Sequence, residues 1–111
     1  MRIRTETGSG LHSMTLAGRF DAHEVPGFRA AVDLLLSDHS AQPTIRLDLS
    51  NVIFVDSSAL AELLKSQKAT RQAGGDLVLT ALSDPVRVIL ELTALGQVFT
   101  TEETGSGALP S

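Results

Sequence analysis

Apolar and polar residues alternate weakly at the start of the chain, from Arg2 to Thr7 and again from Leu11 to Ala17. Alternation with a period of two is typical of strands that bury one face. Between the two stretches lies Gly8-Ser9-Gly10, whose glycines suit a tight turn. The pattern therefore predicts an opening antiparallel hairpin, followed after Gly18 by a polar connection.

Three later stretches repeat apolar residues at the spacing of a helix. The first runs from Val25 to Leu36, with Pro26 in the first turn, where its missing N–H does no harm. The second runs from Ser57 to about Gln72 and stops at Gly74-Gly75, and the third opens at Asp84-Pro85. We expect Gly96 to cap the third helix. The inward positions are expected to be Leu60, Ala61, Leu63 and Leu64 in the second helix and Val86, Ile89, Leu90 and Leu92 or Thr93 in the third, with Glu62, Lys65, Ser66 and Lys68 facing solvent.

Strand-like stretches separate these helices. After a loop over Ser37–Pro43, residues 44–49 alternate as a third strand, and Val52–Val55 continues it as a buried run. A fourth strand covers Leu77–Leu82, and a short fifth covers Gln97–Thr101. The order β-β-α-β-α-β-α-β predicts an α/β fold, in which the helices form parallel crossovers and the hairpin is the antiparallel edge of a small mixed sheet.

Length and composition indicate one soluble domain. A chain of 111 residues suffices for a single core, which we expect over residues 1–101, followed by a disordered tail over 102–111. No stretch approaches the roughly 20 apolar residues of a membrane span, and no secretory signal is present, so a cytoplasmic location is expected. The chain has no cysteine, which excludes disulfides and thiol chemistry.

The charge balance argues against nucleic acid and membranes as partners. The formal net charge is −4, and four Phe are the only aromatic residues, so basic patches and stacking platforms are scarce. No cofactor motif is present either. These features favour a protein-binding module over an enzyme. We expect no cofactor, and a monomer or weak dimer.

The junction at Asp56-Ser57-Ser58 combines a strand end, an acid and two hydroxyls. Asp56 suits an N-cap, since its carboxylate can accept hydrogen bonds from the first free N–H groups of a helix. Ser57 and Ser58 then lie in the first turn, where the helix dipole tolerates a phosphoryl group. The residues alone leave two interpretations open, a simple cap or a phosphorylation switch.

Enzymatic interpretations of the same residues find little support. His12 is expected to point out of its strand, and His12, His23 and His39 lack the spacing of metal ligands. Ser57 with His23 and Asp21 could form a hydrolytic triad, yet no nucleophile elbow is present. A receiver domain phosphorylated on Asp56 would need an acidic pair after the first strand, which is absent.

Four further motifs accompany this junction in register. They are Gly18-Arg19-Phe20-Asp21, Leu47–Val52 leading into Val55–Leu60, Gly74–Leu77, and Ser83–Val86. Together they resemble STAS domains, and within them the anti-anti-sigma factors (anti-sigma factor antagonists) of bacteria. The resemblance covers about residues 1–101.

The resemblance implies a regulatory role in transcription by partner switching. The Ser after the Asp, here Ser57, would be phosphorylated by an anti-sigma factor that is a serine kinase of the histidine-kinase-like ATPase fold. The unphosphorylated domain would bind that factor and free the sigma factor, and a PP2C-type phosphatase would reset the switch. The implied partner-binding residues are Asp21, His23, Asp56, Ser57, Ser58, Ala59 and Glu62.

Two departures from the family and two other roles accompany this interpretation. The family usually has Gly at the position of Ala59, and it often ends with a helix for which residues 102–111 offer at most a turn. Alternative roles are a STAS accessory subunit of a lipid-transport ATP-binding cassette, or a component of a stressosome-type scaffold.

Overall fold

The computed structural model describes residues 1–8, 11–37 and 42–102. Within them the chain forms one five-stranded sheet with strand order β1-β2-β3-β4-β5, in which β1 and β2 are antiparallel and the remaining pairs are parallel. The predicted mixed α/β architecture and its element order are confirmed. The elements are β1 (Arg2–Thr7), β2 (Leu11–Phe20), α1 (Val25–Leu36), β3 (Thr44–Val55), α2 (Ser57–Gln72), β4 (Asp76–Leu82), α3 (Asp84–Leu92) and β5 (Thr100–Thr101).

One face of the sheet carries the hydrophobic core. Alternate residues of β2 and of most of β3 are buried on this face, whereas the residues between them are at least partly exposed. Helix α1 adds a buried stripe at the predicted helical spacing, and α2 and α3 complete the same cluster. The buried members include Met14, Leu16, Ile45, Leu47, Leu49, Leu77 and Leu79 from the sheet and Phe28, Val32, Leu35, Leu63 and Leu90 from the helices.

The strand β2 runs to Phe20 and does not end at Ala17, so the polar connection predicted after Gly18 starts later. The β2–β3 ladder continues past two register shifts, each of which inserts one extra residue into β3. Gly18 lies beside the second shift and has φ +105°, a left-handed conformation that favours glycine. The longer ladder pairs Arg19 with Phe54 and Phe20 with Val55.

The second bulge also changes the end of β3. Val52 and Val55 are buried as predicted, but Ile53 is 68% exposed and Phe54 is 37% exposed. The prediction of a continuously buried run is therefore wrong, because Ile53 is the residue that the bulge inserts. This strand end leads directly into α2.

Helix α2 has the predicted bounds, but its buried face is wider than expected. Gly74 takes the left-handed conformation (φ +89°) just after the helix, and a Cβ on Gly75 would lie 1.6 Å from the Pro43 carbonyl oxygen. Ala61 is exposed, whereas Glu62 and Ser66 are each 4% exposed, so three of the expected orientations are wrong. The cause is the packing of α1 along α2.

The third helix and the fifth strand are shorter than predicted. Ser83 takes the N-cap position in place of Asp84, and Val86 and Leu90 are buried with Ile89 half-buried. Leu92 and Thr93 are exposed, so neither belongs to the buried stripe. The chain turns at Ala94, which has φ +59°, rather than at Gly96. β5 then covers only 100–101 because its ladder with β4 has two pairs.

His12 is 1% exposed, contrary to the prediction that it points outward. It pairs with Ile45, whose side chain belongs to the core face, so the strand turns His12 inward. The predicted turn at Ser9-Gly10, most of the loop before β3 including His39, and the tail expected to be disordered beyond Glu102 lie outside the described residues. None of the helices among the described residues combines the length and the apolar composition that a membrane span requires.

Candidate functional site

Asp56 joins the end of β3 to the start of α2. Its Oδ1 accepts a hydrogen bond from the Ala59 N–H at 2.9 Å, so Asp56 is the predicted N-cap. Its own backbone N–H donates to the Phe20 carbonyl oxygen at 3.3 Å. The helix therefore starts from a residue that is also tied to β2.

The second carboxylate oxygen of Asp56 reaches the connection between β2 and α1. Asp56 Oδ2 accepts a hydrogen bond from the Ala22 N–H at 3.0 Å. One carboxylate thus holds together two segments that are 34 residues apart in the chain. Its negative charge is met by two N–H dipoles, one of them at the positive end of α2.

The connection between β2 and α1 carries Asp21 and His23, which the sequence predicts at a partner surface. Asp21 Oδ1 accepts from the His23 N–H at 3.1 Å, and its Oδ2 lies 3.7 Å from Nε of Arg19. Because Ala22 is bonded to Asp56, this connection and the start of α2 lie at the same end of the sheet. His23 is exposed.

The two serines of the junction are exposed, and the alanine that follows them is buried. Ser57 is the first residue of α2, and Ser58 is the second. Ala59 is 0% exposed and belongs to the core cluster. The hydroxyls of Ser57 and Ser58 are therefore the accessible chemical groups of the first turn.

Glu62 lies one turn after Ser58 on α2 and forms an ion pair with α1 (Val25–Leu36). Its carboxylate accepts two hydrogen bonds from Arg29, at 2.8 Å from Nη2 and at 3.2 Å from Nε. Glu62 is buried, whereas the Arg29 side chain is 52% exposed. The hydrogen bonds and charge of Glu62 hold the pKa of Arg29 above its usual value, against the opposing effect of burial, and the charge of Asp33 adds to the increase.

Sequence reasoning missed this pair and the role of Ala22. Glu62 stands at helical spacing between Ala59 and Ser66, which are both buried, and that spacing was the available signal for an inward Glu62. The contact of Ala22 is made by its backbone, so its residue type carries no signal. The expectation that Glu62 contacts a partner remains a prediction.

The site offers hydroxyls and a capped helix end but no arrangement of metal ligands. Within residues 1–8, 11–37 and 42–102, no three His, Asp or Glu side chains lie close enough to hold an ion. Asp21, Asp56 and the two serines instead form a small polar surface around one helix start.

Known proteins match almost the whole chain. A family model described as "Mlab, STAS domain" matches residues 5–101. The anti-sigma-B factor antagonist of Listeria monocytogenes is 30% identical over 75% of this chain and 71% of its own length. The anti-sigma F factor antagonist of Paenibacillus polymyxa is 26% identical over 98% of this chain and 92% of its own.

A solved structure shares the fold. The unphosphorylated form of the anti-sigma factor antagonist SpoIIAA superposes with a TM-score of 0.75 at 21% identity, covering 93% of this chain and 90% of its own. The phosphorylated form of the same Bacillus protein superposes with a TM-score of 0.70 at 20% identity, covering 93% of each chain. At these identities the likeness concerns the fold.

Proposed function

Because the chain belongs to the STAS domain family, and within it to the anti-sigma factor antagonists, we propose that it binds an anti-sigma factor through the β3–α2 junction (Val55–Ala59) and is released by phosphorylation of Ser57. The observation that carries the proposal is the exposure of Ser57 as the first residue of α2, directly after the Asp56 cap. The solved relative exists in unphosphorylated and phosphorylated forms.

The position of Ser57 suits a switch that leaves the fold intact. A phosphoryl group on Ser57 adds a charge of about −1.5 to −2 at neutral pH. At the first position of α2 this charge meets the positive end of the helix dipole, which favours it. The neighbouring carboxylate of Asp56 is already held by two N–H groups, so it can stay in place.

The same charge opposes a close contact with a partner. A dianion buried in an interface loses its hydration, and without a matching cation this costs several kcal/mol. Asp21 and Asp56 add negative charge at this end of the sheet. Phosphorylation would thus weaken binding through desolvation and repulsion, while the free domain remains folded.

The finer assignment names the enzymes of the cycle. In this proposal the anti-sigma factor is itself the serine kinase, of the histidine-kinase-like ATPase fold, and a PP2C-type phosphatase removes the phosphate. The antagonist has no catalytic role and works in the cytoplasm. Its partner surface comprises the exposed residues His23, Ser57 and Ser58 and the partly exposed Asp21. Asp56 positions them, and the start of α2 is the docking element.

Phosphorylation mapping tests this assignment. The chain is incubated with ATP and the purified anti-sigma factor of its own genome, and the phosphorylated peptide is identified by mass spectrometry. We expect one phosphoryl group, on Ser57. Ser57→Ala should abolish the modification and keep binding, whereas the matched variant Ser58→Ala should still be modified.

The outcomes separate the possible roles. A phosphoryl group on another residue would contradict the switch at Ser57. So would the absence of any phosphoryl group when the anti-sigma factor binds the chain. If affinity purification from the native host recovers a transporter ATPase in place of an anti-sigma factor, the accessory-subunit role replaces the proposed one.

A further inference from the structure

The face of the sheet opposite the core carries an arginine surface that the switch does not use. Arg2 pairs across the ladder with Ala17, Arg4 with Thr15, and Arg19 with Phe54. These positions alternate with core residues, so their side chains lie on the open face. We define the arginine surface as Arg2, Arg4, Arg19 and Phe54, bordered by Ile53.

The three arginines follow one another along one edge of the open face. Arg2 and Arg4 are two residues apart on β1, which is roughly 7 Å along a strand. Ala17, the partner of Arg2, is two residues from Arg19 on the adjacent β2. A shallow cleft of about 190 Å³ lies between the first two arginines, Thr15, Ala17 and Asn51.

Two of the three arginines carry positive charge that the described residues do not neutralise. Arg2 and Arg4 form no ion pair within the described part of the chain. Arg19 stacks on the Phe54 ring at 4.2 Å from its centroid, and it forms an ion pair with Asp21 at 3.7 Å. Asp48 lies in the same row as Arg4, two strands away, but its Oδ1 already accepts from the Ser50 N–H and hydroxyl.

Apolar surface adjoins these charges. Ile53 is 68% exposed at the bulge of β3, and Phe54 is 37% exposed beneath Arg19. Exposed apolar side chains bordered by arginine are typical of protein interfaces, where Arg and Phe are enriched. Arginine also binds carboxylates through two parallel hydrogen bonds and is weakly hydrated.

We propose that the arginine surface binds an acidic segment of a protein partner, with an apolar side chain of that segment against Ile53 and Phe54. Charge complementarity selects this occupant, because unpaired guanidinium groups attract carboxylates. The net charge of −4 disfavours anionic membranes and nucleic acid, which respond to the charge of the whole molecule. The arginine surface lies outside α2 and meets the proposed partner surface only where Arg19 contacts Asp21 among the described residues. We therefore expect the acidic segment to bind whether or not Ser57 is phosphorylated.

Nuclear magnetic resonance of the full ¹⁵N-labelled chain tests this inference with a defined probe. The probe is a short synthetic peptide in which glutamate and leucine alternate, and the control peptide has lysine in place of glutamate. We expect saturable shifts with the acidic peptide only, confined to the amides of residues 2–4, 15–19 and 53–54. Shifts that are absent, or centred on α2, would overturn the proposal.

Variants separate the charge from the apolar contact. Arg2→Glu combined with Arg4→Glu should weaken peptide binding about tenfold or more, and Ile53→Ser should weaken it less. The matched charge reversal Lys65→Glu with Lys68→Glu, on exposed positions of α2, should leave the affinity unchanged, as should Ser57→Asp. If both double variants weaken peptide binding equally, the effect comes from the net charge of the chain. That result would contradict a specific binding surface.

Competition decides the class of partner. Vesicles of anionic phospholipid and a single-stranded oligonucleotide are added to the peptide complex at physiological salt. The proposal predicts that neither displaces the peptide. Displacement with the same shifts would assign the arginine surface to a membrane or to nucleic acid and overturn the protein partner.

Discussion

At the scale of single residues, Asp56 is the group on which the candidate site depends. Its two oxygens bind the Ala59 and Ala22 N–H groups, so it both starts α2 and fixes the connection that carries Asp21 and His23. Its residue type predicted the cap, because a carboxylate after an apolar run and before a helical pattern has few other structural uses. The bond to Ala22 could not be predicted, since any residue supplies a backbone N–H.

Asp56→Ala should lower the free energy of unfolding by about 0.5–2 kcal/mol, the usual cost of a lost N-cap. The matched variant is Ser83→Ala, at the N-cap of α3, where the side chain makes no cap bond and the hydroxyl oxygen is buried without a partner among the described residues. That variant should be neutral or stabilising. Urea unfolding followed by circular dichroism measures both, and equal losses would contradict the specific role of Asp56.

At the scale of elements, α1 and α2 are held together by the ion pair between Arg29 and Glu62, whose side chains differ in exposure. Glu62 is 4% exposed, whereas Arg29 can reach water. Removing Arg29 leaves a buried carboxylate without its partner, but removing the charge of Glu62 leaves an arginine that can turn to solvent. The two halves of the pair are therefore not equivalent.

Arg29→Ala should destabilise the chain more than Glu62→Gln does, and the double variant should cost less than the sum of the single ones. Urea unfolding of the parent chain, the two single variants and the double variant gives the three differences in the free energy of unfolding. The reverse order would contradict the unequal roles of the two side chains, and strict additivity would show that the pair does not couple α1 to α2.

A second contact between elements gives a prediction for pH. Burial would raise the pKa of Asp76, but hydrogen bonds from Arg71, Thr100 and the Leu77 N–H hold it below its ordinary value of 3.8. A carboxyl with a lowered pKa adds stability that is present above that value and is lost as the pH falls through the lower, folded value. The group links the end of α2 to β4 and β5.

Asp76→Asn should therefore reduce the free energy of unfolding at neutral pH, by about 0.2–1 kcal/mol for a partly exposed pair. The difference from the parent chain should shrink as the pH falls below 3.8. Unfolding measured as a function of pH checks this, and a difference that stays constant down to acidic pH would contradict it.

At the scale of the whole molecule, the sequence predicted the architecture because that depends on periodicity. The helical spacing from Val25 to Leu36 and the glycines after Gln72 determine where elements start and stop. The bulge at Ile53 was not predictable, since it arises from the unequal lengths of two paired strands. The burial of Glu62 likewise depends on a partner in another helix.

The candidate site was likewise predictable from the sequence only in part. Ser57 and its cap follow from local sequence, and the structure agrees on their positions at the start of α2. The proposed role of Ser57 as a switch depends on a second protein, because the charge of a phosphoryl group would act on the contact with that protein. Phosphorylation should therefore change binding and leave the fold of the domain unchanged.

Titration calorimetry tests this central claim most directly, with the purified anti-sigma factor and the chain in its unphosphorylated and Ser57-phosphorylated forms. Circular dichroism of both forms serves as the control for folding. We expect superimposable spectra and binding weakened by about tenfold or more on phosphorylation, which corresponds to at least about 1.4 kcal/mol. Equal affinity of the anti-sigma factor for the two folded forms would contradict the switch.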